Sequence, residues 1–116
     1  MKFVALVAGV TLAFGVAVRS QATPATDAAR VERGRQVYAR LKCATCHQIA
    51  KNGNSRFPLD GVGSRLSAED LRRWMTDTAK MEDALPRLPA VRMSATKYRL
   101  SAQDLDGLVA YLKTLK

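Results

Sequence analysis

Histidine occurs once in these 116 residues and cysteine twice, and acidic side chains are outnumbered 10 to 19 by basic ones. A single histidine leaves no second imidazole for acid–base work. The acids Glu69, Asp70, Glu82 and Asp83 fall in capping or surface-like contexts, so no catalytic constellation stands out. Two cysteines and one histidine are also short of the four ligands that a structural zinc site usually needs. A redox-active dithiol would want a βαβ setting, and nothing beside the cysteines reads as a strand pair.

The apolar run at the front, residues 3–18, is just below the length that spans a bilayer. Lys2 precedes it and Arg19 follows it. With small residues at Ser20 and Ala22 it reads as an export signal, residues 1–22, cleaved after Ala22. The alternative is an uncleaved anchor, the one case in which the chain would be membrane-bound. Either way the remaining domain, residues 23–116, lies outside the cytoplasm, and periplasmic is the expected location. That length supports one thin hydrophobic core, with room for a bulky apolar group at its centre. Loss of Lys2 and Arg19 takes the formal charge from +9 to +7. Export argues against nucleic acid as the partner of so basic a chain. An acidic protein face, met by long-range attraction, is the expectation, with plain solvated charge as the alternative.

What the cysteines do have is spacing: Cys43-Ala44-Thr45-Cys46-His47. Two intervening residues match two thiols to the two vinyl groups of a porphyrin, and the next residue projects an imidazole toward iron from the same face. The lone histidine stands at the one position this chemistry requires. The reading is one haem c, covalently held through Cys43 and Cys46 and ligated by His47.

Helical periodicity frames this motif. Val31, Gly34, Tyr38 and Leu41 form a stripe that predicts a helix over 27–41. Residues 48–63, rich in Gly, Asn, Ser and Pro, predict loop. Leu66-Ser67-Ala68-Glu69-Asp70-Leu71 and Leu100-Ser101-Ala102-Gln103-Asp104-Leu105 repeat one start signal: a Ser cap, an acid three residues on, and flanking leucines. They predict helices over 67–78 and 101–115. Gly34 and Gly107 sit inside predicted helices, where glycine is unfavourable by about 1 kcal/mol. A close crossing of the first and last helices, with Tyr38 and Tyr111 around it, would account for both.

In combination these features resemble the class I c-type cytochromes. Gly34 and Tyr38, the Cys43 to His47 motif, Pro58, the 67–78 helix, Met93, and Leu108 with Tyr111 follow that family's order over about 90 residues. The resemblance implies an all-α cytochrome c fold, three main helices packed around one covalently bound haem. It implies that the second ring nitrogen of His47 donates to the Pro58 carbonyl. It suggests Arg65 and Trp74 as partners of the haem propionates, although the loop Pro58-Leu59-Asp60-Gly61 is one residue shorter than the common form and Trp74 could equally be a core residue. Met93 lies where relatives carry the sixth ligand, with Met81 and Met75 as alternatives; Ser94 stands where many relatives have proline. With both axial positions filled, the expected work is outer-sphere electron transfer with redox partner proteins, not catalysis. Two other classes stay open: an electron-transfer subunit of a periplasmic dehydrogenase or oxidase, and an open-site haem sensor or peroxidase.

Overall fold

The computed structural model of the chain describes residues 24–116. The expected export signal, residues 1–22, lies outside the described residues. Five helices follow one another: α1 (Pro24–Arg40), α2 (Val62–Arg65), α3 (Ala68–Thr76), α4 (Thr78–Asp83) and α5 (Ala102–Thr114). Between α1 and α2 lie three very short strands, β1 (His47–Ile49), β2 (Asn52–Gly53) and β3 (Phe57–Pro58). Three main helices, α1, α3 and α5, thus dominate, as expected. None of the described helices is long and apolar enough to cross a membrane.

Both predicted caps form. The Ser67 hydroxyl accepts from the Asp70 N–H at 3.0 Å, and the Ser101 hydroxyl from the Asp104 N–H at 3.1 Å. Each meets an N–H that the first helical turn leaves without a partner. The second helix is shorter than predicted. It breaks at Asp77, and α4 restarts it. The Thr78 hydroxyl donates back to the Trp74 carbonyl at 2.7 Å, which competes with helix continuation at that point.

The core lies where α5 crosses α1. Val37 and Leu108 are 1% and 2% exposed, joined by Leu71, Met75, Val109 and Leu112. A Cβ on Gly34 would stand 1.9 Å from the Gly107 carbonyl oxygen. The two backbones therefore touch at that point, and only a bare residue at 34 permits it. The Tyr38 and Tyr111 rings pack edge to face beside the crossing, centroids 5.8 Å apart.

Residues 48–63, expected as loop, instead pair into a small sheet of order β2-β1-β3. β2 runs antiparallel to β1, and β3 parallel to it. The turn between β1 and β2 is Ala50-Lys51, both at positive φ, the sign that a tight two-residue hairpin requires. The Ala50 N–H is fixed by Asp60 Oδ1 at 2.8 Å. Strands two or three residues long carry too little alternation for periodicity to reveal them.

Candidate functional site

The site begins where α1 stops. Lys42 adopts the left-handed conformation and turns the chain out of the helix. One tight turn follows, closed by Thr45 N–H to Lys42 O and Cys46 N–H to Cys43 O. Two thiols separated by two residues thus leave the same turn, and the next residue, His47, opens β1. Asn54 straps the turn from outside. Its N–H donates to the carbonyls of Ala44 and His47, and its side-chain amide donates to the Thr45 carbonyl at 3.2 Å. Gly53, at φ 97°, lets that strap approach, since a Cβ there would meet the His47 carbonyl oxygen at 2.2 Å.

His47 is held by its neighbour across the sheet. Its Nδ1 lies 3.0 Å from the Phe57 carbonyl oxygen. That oxygen can only accept, so Nδ1 carries the proton and Nε2 keeps its lone pair for a metal. The resemblance had placed this bond on the Pro58 carbonyl. The register corrects it: β3 pairs Phe57, not Pro58, with His47, so the Phe57 carbonyl faces the ring. Pro58 itself is exposed and is not on the cavity wall.

Cys43, Cys46 and His47 open onto one cavity of about 380 Å³, walled by Leu59, Val62, Leu71, Leu108 and Leu112 among other apolar side chains. Trp74, Met75 and Met93 line it as well; Met81 does not. Met75 is buried on α3 and belongs to the core, whereas Met93 is half-buried in a loop. Arg65, expected at the propionates, is not brought to this cavity. Its Nη1 donates to the Asp60 carbonyl at 2.8 Å, and the side chain folds back over Gly61 because α2 lasts only one turn.

Burial pushes the Cys43 thiol up to about 11. That is opposite in direction to the thiolate of a redox-active dithiol. Burial likewise pushes the Tyr38 phenol up to about 12, and its hydroxyl has no hydrogen-bond partner among the described residues. A buried orphan hydroxyl on the wall of an apolar cavity fits an occupant that brings its own polar groups. Paired thiols, an oriented imidazole and this wall suit haem.

Glu82 was misjudged from sequence. Instead of standing in a capping or surface-like context it is 2% exposed on the cavity wall. Oε1 accepts from the Met93 N–H and Oε2 from Arg92 Nε, each at 2.6 Å. Only the fold, which lays the Met93 loop across the end of α4, could have revealed it.

A helical shell around one apolar cavity, with two thiols and an oriented imidazole presented from a single turn, defines a covalent haem-binding protein. Comparison with known proteins makes this particular. The family model described as Cytochrome c matches residues 31–116. Cytochrome c-554(547) of Halothiobacillus neapolitanus is 34% identical over 72% of this chain and 93% of its own length. A cytochrome c6-like protein of Nostoc is 31% identical over 80% of this chain and 78% of its own. Cytochrome c oxidase subunit 2 of Alkalihalophilus pseudofirmus is 27% identical over 72% of this chain, which spans only 25% of that larger protein. No solved structure matches. The chain belongs to the cytochrome c family, with the covalently bound haem c and the electron-transfer role which that membership carries.

Proposed function

We propose that this protein is an exported, periplasmic one-electron carrier whose haem c would be bonded to Cys43 and Cys46 and held at its iron by His47 and Met93. The observation that carries the ligand pair is that both residues line one cavity, with Nδ1 of His47 engaged by the Phe57 carbonyl so that Nε2 is the free nitrogen. When bound, haem c supplies a ferric/ferrous couple, and a thioether ligand raises its potential. The chain's own contributions are fixation and exclusion of water. The strapped 43–47 turn sets the attachment points, β3 sets the imidazole plane, and Leu59, Val62, Leu71, Leu108 and Leu112 supply a low-dielectric wall. Trp74 on that wall is proposed to meet the haem's acid groups, and the buried Tyr38 hydroxyl, on the same cavity, is a further donor open to the occupant.

An acidic face on the redox partner suits the surroundings of the cavity. Lys97 lines it and Arg87 is exposed six residues after Met81, while Arg92 and the buried Glu82 on the wall neutralise each other. Such charge mainly speeds encounter.

The test is the visible spectrum of the ferric protein, where iron–methionine ligation gives a weak far-red charge-transfer band. The band is expected in wild type and lost in Met93→Ala. A wild-type protein without it, high-spin and open to small ligands, would overturn the assignment in favour of a sensing or catalytic haem.

A second reading, an electron-transfer module within a larger oxidase, has one observation in its favour, the similarity to cytochrome c oxidase subunit 2. Exposed Leu85, Leu88 and Val91 would suit a permanent contact. Gel filtration of the native protein from its own cells decides between a free carrier near the mass of one chain and a large assembly.

A further inference from the structure

Residues 86–93, which bring Met93 to the cavity, contain no helix or strand. Among the described residues their hydrogen bonds all run to two adjacent carboxylates at the end of α4. The Met93 N–H donates to Glu82 Oε1 at 2.6 Å, Arg92 Nε to Glu82 Oε2 at 2.6 Å, and Arg92 Nη2 to Asp83 Oδ1 at 2.9 Å. A loop this thinly held would otherwise sample many positions.

Glu82 is the unusual member of the set. It is 2% exposed and sits on the cavity wall among apolar neighbours, a setting that strongly disfavours an unpaired carboxylate. Both of its oxygens are engaged, one by a guanidinium and the other by the backbone of the very residue that carries the thioether. An ion pair serving stability alone would be complete with Arg92. The bond to the Met93 N–H is the extra element, and it fixes the sulfur-bearing residue from the protein side.

We propose that Glu82 is a positioning residue for Met93, clamping the loop so that the thioether outcompetes other ligands for the haem iron. This rests on the His47/Met93 reading above. An exogenous ligand must first displace methionine, so its apparent affinity rises by whatever factor the methionine bond is weakened. Loss of one charge-assisted hydrogen bond corresponds to about tenfold.

The experiment titrates haem-loaded ferric protein with imidazole, following the far-red band, with urea unfolding in parallel. Glu82→Gln is expected to bind imidazole about tenfold more tightly than wild type. Asp83→Asn, altered at a largely exposed side chain that meets only the outer nitrogen of Arg92, should stay within about twofold. Lys113→Met, which destabilises the fold elsewhere, should titrate as wild type. If Glu82→Gln titrates as wild type, or Lys113→Met shifts as far as Glu82→Gln does, the proposal is overturned. Should Glu82→Gln fail to fold, Glu82→Asp keeps the charge but draws the carboxylate back from the Met93 N–H, and an unchanged imidazole affinity there refutes it equally. Met93→Ala separates the two failures. If it keeps the far-red band, Met93 is not the ligand and the clamp falls with it; if it loses the band while Glu82→Gln behaves as wild type, only the clamp is wrong.

Discussion

Replacing Gly34 by alanine should destabilise this protein far more than replacing Gly107, although the two glycines meet at one crossing. A Cβ on Gly34 stands 1.9 Å from the Gly107 oxygen, 2.4 Å from its carbonyl carbon and 2.6 Å from Tyr111 Cβ. Two of these neighbours are backbone and none is the tip of a flexible side chain, so α1 and α5 must separate by more than an ångström. Overpacking of this severity costs about 3 kcal/mol. The better helix propensity of alanine returns about 1 kcal/mol, leaving a net loss of about 2 kcal/mol. On Gly107 the nearest atoms to a Cβ, the Arg30 oxygen and the Gly34 nitrogen, are both at 3.1 Å. A shift of a few tenths of an ångström relieves them, and the same propensity gain roughly cancels that small penalty. For a domain of this size the Gly34→Ala loss lowers the melting temperature by about 8–16 °C. Thermal unfolding of the haem-loaded protein by circular dichroism reads both variants. A Gly34→Ala protein melting within about 2 °C of wild type, or a Gly107→Ala protein melting below it, would refute this account of the crossing.

Lys113 reaches from α5 to donate to the Gly63 and Leu66 carbonyls at 2.6 and 2.9 Å, completing the end of α2. Lys113→Met should therefore lose about 1.5 kcal/mol in urea unfolding, and a loss near zero would show that water replaces the ammonium freely. Asp104, hydrogen-bonded by Arg40 and by Arg33, has its carboxyl held below the usual range. A depressed folded-state value means stability present above the unfolded value, about 4, and lost as pH falls through the folded one. Asp104→Asn should flatten that acid limb of the stability curve, and an unchanged limb would place the acid sensitivity elsewhere.

Much of the helical frame was legible because its signals are local. The two Ser caps and their acids act within one turn, and α3 and α5 start where those signals stand. Gly34 and Gly107 could be paired in advance because glycine in mid-helix is unfavourable unless a backbone comes close. The Ala50-Lys51 hairpin was not legible. Neither residue favours positive φ, and the conformation is held by Asp60 from ten residues away. The end of α3 was misplaced for a similar reason, since a threonine's bond to a preceding carbonyl leaves no mark in hydrophobic spacing.

What the sequence by itself determined is the covalent chemistry: two thiols and an imidazole within five residues, whose relations are set by bond lengths and one tight turn. Which carbonyl orients the imidazole, which arginine reaches the cavity and how the Met93 loop is held were decided by tertiary structure. Phe57 instead of Pro58 faces His47 because of strand register, Arg65 folds back over Gly61, and Glu82 passes from apparent surface acid to buried clamp once the loop crosses α4. Each of these depends on groups brought together by packing, at separations in sequence over which local propensity carries no information.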